Sequence, residues 1–174
     1  PPLFHDGGRR SGSRAPVRVS DDEVFVTLIG LLFAAWGAIS WYVRVSTPSL
    51  ARYPGGWRLW LGLAPLVALA GVFIVLKTAA SFDVRESLVY LFFYMVFGAA
   101  WVFWAVRLNI IFGVSLRDDA LERRNPAAAV LIIATVLAQA AIYAGGNVGD
   151  GPGWWIVALA ALFAGGIWFL LWWL

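Results

Sequence analysis

Five long runs of uncharged, apolar residues limit what this chain can fold into more than any other feature. A helix needs about 20 such residues, each rising about 1.5 Å, to cross roughly 30 Å of hydrocarbon. The runs cover residues 24–43, 59–76, 88–106, 127–144 and 154–174. The sequence therefore predicts an all-α integral membrane protein, in which residues 24–174 form a bundle of about five transmembrane helices.

Composition agrees with a membrane setting. Of the 174 residues, 61% are hydrophobic and only 13% are charged, against roughly 25% charged in an average soluble domain. The chain contains 11 Trp and 18 Gly, and membrane proteins use Trp at the interfaces and Gly within spans. A soluble globule is excluded, and we expect the lipid bilayer and other membrane subunits as partners, with no nucleic acid.

Residues 1–23 differ from the rest of the chain. They are rich in Pro, Gly and Ser and carry four arginines, but they offer almost nothing to bury. Such a segment does not form a core by itself. We expect a flexible basic N-terminal arm, solvated or in contact with anionic lipid headgroups or an acidic partner.

Polar residues at the borders of the runs carry helix-start signals. A capping side chain with an acidic residue three positions later, or Asn followed by Pro, satisfies the free backbone N–H groups of a first turn. The pairs are Ser20 with Glu23, Asp83 with Glu86, and Asn125 with Pro126. Between the third and fourth runs, SLRDDALERR predicts a short helix capped by Ser115, with an exposed Asp119–Arg123 ion pair.

Residues for catalysis are scarce. There is no cysteine, and the single histidine, His5, lies in the polar arm. No Asp or Glu interrupts the apolar runs, and neither Ser40 nor Thr27 has a base near it in sequence. We predict a protein that is not an enzyme, with no catalytic, cofactor-binding or metal-binding residues and no bound cofactor. Contact with lipid, carotenoid or quinone without ligation stays open.

Tryptophans and a few polar residues are the candidate contact sites. Most tryptophans stand at run ends, as in an interfacial belt, and four lie deeper: Trp36, Trp101, Trp104 and Trp168. We expect these four to pack between helices or against a subunit, lipid or flat cofactor. The candidate intramembrane polar contacts are Gln139, Arg107 and Asn109. For Gln139 a hydrogen bond between helices is favoured over a place in a pore.

Small residues recur every four positions in three runs. The stripes are Gly30, Ala34 and Ala38; Ala134 and Ala138; and Ala161 and Gly165. Small side chains allow helix backbones to approach closely in a membrane. The stripes predict packing faces without predicting a particular partner.

One stretch resembles a known family. The third run, the linker that ends in Glu122, Arg123, Arg124 and Asn125, the alanines that follow it, and a glycine-rich turn span residues 88–149. This arrangement resembles the two-helix unit of an uncharacterised family of small bacterial inner-membrane proteins, domain of unknown function three-fifty. The resemblance implies a multi-pass location in the bacterial inner membrane and implies no activity.

Two functions remain as hypotheses. The first is a non-enzymatic accessory or structural subunit of a larger membrane assembly, for instance an energy-transducing, respiratory or photosynthetic complex. The alternative is a small homo-oligomeric channel or transporter that uses Gln139, Arg107 and Asn109. Orientation stays open, because the four-arginine arm and the loop of residues 145–153, which has no basic residue, argue in opposite directions. The loop slightly favours an external N-terminus.

Overall fold

A computed structural model of the chain describes residues 20–47, 56–151 and 153–174. The helices are α1 (Asp21–Ser46), α2 (Trp57–Thr78), α3 (Phe82–Glu86), α4 (Leu88–Ala105), α5 (Pro126–Gly145) and α6 (Trp154–Trp173). A 3₁₀ segment (Val106–Phe112) and a π-helical turn (Leu116–Glu122) connect α4 to α5. Over these ranges the fold is all-α, apart from one isolated bridge between Ala80 and Gly149.

Five helices are long and apolar enough to cross a membrane, which confirms the predicted number of candidate spans. They are α1, α2, α4 with its 3₁₀ extension, α5 and α6. The third candidate span is longer than predicted, because helical turns continue beyond Arg107 as far as Phe112. Helix α1 begins at Asp21, so the last three residues assigned to the arm are helical. Residues 1–19 of the predicted arm lie outside the described residues.

The helix starts follow the predicted chemistry at two places and depart from it at a third. The backbone N–H of Ser20 donates to the Glu23 carboxylate at 2.9 Å, and Asn125 Oδ1 accepts from the N–H groups of Ala127 and Ala128. Asp83 does not begin the third span, because it lies in the separate short helix α3. The cap of α4 is Ser87, whose hydroxyl accepts from the Tyr90 N–H.

Helices α1 and α4 run parallel and pack closely. An ideal Cβ at Gly30 would lie 3.1 Å from Val96, and one at Gly37 would lie 2.5 Å from Cβ of Phe103. The second contact lies seven residues after the first on both helices. A seven-residue repeat is typical of a seam between nearly parallel helices. Glycine is needed at position 37 because the two backbones approach too closely for a side chain.

Helix α5 forms the centre of the bundle. It packs on α2, α4 and α6, and its Tyr143 is fully buried with the ring against Gly98 of α4. The Tyr143 hydroxyl donates to the Tyr94 carbonyl at 2.7 Å. Helix α6 lies at the edge and buries only Val157, Ala161 and Gly165 among its described residues.

Charges divide between the two ends of the bundle. The end where α1 begins, here called the acidic end, carries six acidic and two basic described residues: Asp21, Asp22, Glu23, Asp83, Glu86 and Asp150, with Lys77 and Arg85. The opposite end, here called the basic end, carries six arginines and three acidic residues: Arg44, Arg58, Arg107, Arg117, Arg123 and Arg124, with Asp118, Asp119 and Glu122. The described part of the chain therefore has an electrostatic polarity along the bundle axis.

The linker between α4 and α5 folds back on the bundle at the basic end. Ser115 caps its π-helical turn by accepting from the Asp118 N–H at 3.1 Å, and the predicted Asp119–Arg123 pair forms at 3.1 Å. Leu116 and Leu121 are partly buried against the core. The linker thus covers the end of the bundle with the apolar side that carries Leu116 and Leu121.

Candidate functional site

The predicted contact residues fall into separate places in the structure. Trp36, Trp104 and Arg107 come together on the surface formed by α1 and α4. Trp101 and Gln139 meet inside the bundle, where they approach Gly165 of α6. Asn109 lines a cavity at the basic end. Trp168 packs near Trp172 on α6, with the ring centroids 6.4 Å apart.

The first group, here called the Trp36 cluster, consists of Phe33, Trp36, Trp104 and Arg107. The Trp36 and Trp104 ring centroids lie 5.1 Å apart, and Phe33 meets Trp104 edge to face at 5.1 Å. The Arg107 guanidinium carbon stands 3.8 Å from the centroid of the Trp36 ring. This is a cation–π contact, which orders both side chains.

The Trp36 cluster borders a shallow apolar groove on the outside of α1. The groove is lined by Ile29, Leu32, Phe33, Trp36 and Trp104. Trp36 keeps 51% of its surface exposed and Leu32 keeps 72%. A set of ordered aromatic rings with a cation at one end is therefore left uncovered by the described part of the chain.

The second group surrounds Gln139. This side chain is fully buried, and neither amide atom has a hydrogen-bond partner in the structure. The expected hydrogen bond between helices is therefore not formed. The indole N–H of Trp101 is also buried without a partner. An ideal Cβ at Gly165 would lie 3.0 Å from Trp101 and 3.1 Å from Gln139 Oε1, so glycine lets α6 approach this polar pair.

A third place is the cavity of about 240 Å³ at the basic end, here called the arginine cavity. Helix α1 contributes one wall, the 3₁₀ segment another, and residues 114–116 of the linker a third. The lining is Gly37, Ser40, Trp41, Arg44, Phe103, Val106, Arg107, Asn109, Ile110, Val114, Ser115, Leu116 and Ile132. Two arginines thus face the same space.

Sequence reasoning selected Arg107 and Asn109 but missed Ser40 and Arg44. The missed signal is the spacing Gly37, Ser40, Trp41 and Arg44, which places four residues on one face of a helix. Trp41, which stands near the end of the first apolar run, is buried between helices, and its indole N–H donates to the Leu61 carbonyl at 3.2 Å.

Two further expectations concern catalysis and metals. The Thr27 hydroxyl donates to the Glu23 carbonyl of its own helix at 2.6 Å. Among the residues with described positions, no three His, Cys, Asp or Glu side chains are grouped as metal ligands would be. The prediction of no catalytic and no metal-binding residues stays a prediction.

No family model, curated protein or solved structure matches this chain. The resemblance of residues 88–149 to the two-helix bacterial family stays a prediction.

Proposed function

We propose that this protein is a non-enzymatic accessory subunit of a larger assembly in the bacterial inner membrane, and that the Trp36 cluster receives a transmembrane helix of the partner. The observation that carries the proposal is the ordered, uncovered set of Trp36, Trp104 and Arg107 beside an apolar groove. Trp and Arg are the residue types that contribute most to protein interfaces.

The geometry supports a helix as the occupant. The groove follows Ile29, Leu32, Phe33 and Trp36, which are spaced as one face of α1, so it runs along that helix. Its rings already contact one another, and binding would order few additional side chains, which keeps the entropic cost of association low. An apolar helix with an acceptor near Arg107 fits this surface.

The alternative, a homo-oligomeric channel, receives less support. A pore between copies needs polar groups on an outer helix face. The polar residues of α5 that such a pore would use, Thr135 and Gln139, are both fully buried within a single chain. Thr135 also uses its hydroxyl to bond the Leu131 carbonyl of its own helix.

Cross-linking from single cysteines tests the proposed partner surface, because the chain has no cysteine of its own. Leu32→Cys places a thiol in the groove, and Phe163→Cys places one on α6 as a matched control, since the two residues are 72% and 75% exposed. Each variant is labelled in its native membrane with a photoactivatable thiol reagent. Extraction in mild detergent and mass spectrometry then identify the joined peptide.

The expected result is a cross-link from position 32, and none from position 163, to a transmembrane segment of one other protein in fixed stoichiometry. Trp36→Leu should release that protein, whereas Trp155→Leu, which alters a tryptophan of similar exposure on α6, should retain it. A monomer without attached protein would overturn the proposal. A cross-link to a second copy would replace it with the homo-oligomeric alternative.

The charge distribution supports an orientation for the proposed subunit. The loop of residues 145–153, at the acidic end, has no basic residue, and cytoplasmic loops carry the excess of Lys and Arg. We infer that the basic end faces the cytoplasm and that α1 begins outside. A thiol at Asp150→Cys should react with an impermeant reagent in whole cells, and one at Arg117→Cys should react only after lysis. The reverse pattern would contradict this orientation.

A further inference from the structure

The arginine cavity combines two cations with an unpaired amide. Arg44 and Arg107 approach it from α1 and from the 3₁₀ segment, and Asn109 lies between helices with 3% of its surface exposed. Neither amide atom of Asn109 has a hydrogen-bond partner. A buried amide without partners destabilises the folded state, so a ligand that bonds it would recover this loss.

The two arginines are available for an anion. Within the described ranges, neither Arg44 nor Arg107 forms an ion pair with a carboxylate. Arg107 stacks one face on Trp36. Because its N–H groups lie in the guanidinium plane, stacking leaves them free to donate.

Nearby carboxylates already have partners. Asp119 accepts from the Ser115 N–H at 2.8 Å and pairs with Arg123, and Asp118 accepts from the Ser115 hydroxyl at 3.1 Å. Neither aspartate lines the cavity. The lining therefore has two positive charges and no negative charge.

We propose that the arginine cavity binds a phosphate group, held by Arg44 and Arg107 and by a hydrogen bond from the Asn109 amide. Guanidinium groups match the geometry and charge of phosphate oxygens. A volume of about 240 Å³ is several times the roughly 30 Å³ of one water, which leaves room for a phosphate and the atoms attached to it. The source is either the headgroup of an anionic phospholipid or a free phosphate, and the chemistry is the same for both.

Binding to the purified full-length chain tests this site. The protein is delipidated in a non-ionic detergent and mixed with phosphatidylglycerol, with the matching neutral diacylglycerol, or with inorganic phosphate. Native mass spectrometry counts retained lipid, and the melting temperature reports phosphate binding. Arg44→Gln and Asn109→Leu alter the cavity, and Arg117→Gln is the matched control, because it removes a positive charge at the same end outside the lining.

We expect Arg44→Gln to weaken binding of phosphatidylglycerol or phosphate about tenfold or more, because it removes a hydrogen bond between two charged groups. Asn109→Leu should weaken it about two- to tenfold, and Arg117→Gln should bind like the unaltered protein. If phosphatidylglycerol is retained selectively, the bound phosphate group belongs to a lipid headgroup. If inorganic phosphate raises the melting temperature and no lipid is retained, the ligand is a free anion. Arg44→Lys, which keeps the charge, should restore part of the binding.

The proposal is overturned if phosphatidylglycerol and diacylglycerol are retained equally and phosphate has no effect. It is also overturned if the cavity variants bind like the control. Circular dichroism and gel filtration establish that each variant is folded, and Arg44 is exposed at the surface, so its replacement leaves the core intact. The partner test alters Leu32 and Trp36, neither of which lines the cavity, and the cavity variants leave both of these residues unchanged.

Discussion

Replacing Gly98 with alanine should destabilise the bundle through one contact. The new Cβ would lie 2.6 Å from Cε1 of Tyr143, about 1 Å closer than the 3.5–4.0 Å at which carbon atoms pack best. The ring has little freedom to withdraw. It is fully buried, and its hydroxyl bonds the Tyr94 carbonyl on the same helix as Gly98.

The magnitude follows from these two constraints. Forcing extra volume into a packed core costs about 1–3 kcal/mol, and losing the tyrosine hydrogen bond adds about 0.5–1.5 kcal/mol. Alanine recovers about 0.5–1 kcal/mol of helix propensity. The net loss in the free energy of unfolding is therefore about 0.5–4 kcal/mol.

Reversible unfolding in mixed detergent micelles measures this difference. Gly71→Ala is the matched control, because Gly71 lies inside α2 with nothing within 4 Å of an added Cβ. The free energy of unfolding of this variant should equal or exceed that of the unaltered protein. In a double-mutant cycle, Tyr143→Leu should remove most of the penalty of Gly98→Ala. The reasoning is refuted if Gly98→Ala and Gly71→Ala unfold within about 0.5 kcal/mol of each other, since helix propensity alone would then explain both.

Three further substitutions test the packing by the same unfolding assay. Gln139→Leu should leave the free energy of unfolding unchanged or raise it, because it removes a buried amide without partners; a loss above about 1 kcal/mol would mean that the amide does have a partner. Gly37→Ala should cost about 1–3 kcal/mol, since its Cβ would lie 2.5 Å from Phe103, and a neutral result would contradict the close approach of α1 and α4. Asn125→Ala should cost about 1 kcal/mol through loss of its cap on α5, whereas Asn125→Ser should keep most of the stability.

Local features of the fold were predictable from sequence. The number of candidate spans follows from the length of the apolar runs, and the Asn125 cap and the Asp119–Arg123 pair follow from spacings of two to four residues. Each depends on neighbours along one helix, whose geometry is fixed. The third run begins at residue 88, as α4 does, but the predicted cap at Asp83 is wrong, because Ser81 to Ser87 contains two adjacent helix-start signals and only the later one caps the long helix.

Contacts between helices were less predictable. The four-residue stripe of Gly30, Ala34 and Ala38 suggested one packing face of α1, but the close contacts with α4 occur at Gly30 and Gly37. On α5, Ala134 of the predicted stripe is exposed. Small residues are frequent on all sides of these helices, so spacing alone does not select the side that packs.

The sequence by itself determined that the chain forms five long apolar helices, where most of them begin and end, and that polar residues are rare between those ends. Tertiary structure alone decided that Arg107 stacks on Trp36, that Gln139 lacks a partner, and that Arg44 and Asn109 share a cavity. The physical reason is that these helices are apolar on all sides, so no hydrophobic stripe fixes their rotation. Rotation and register follow from the fit of individual side chains such as Phe103 against Gly37, which exists only once two helices meet.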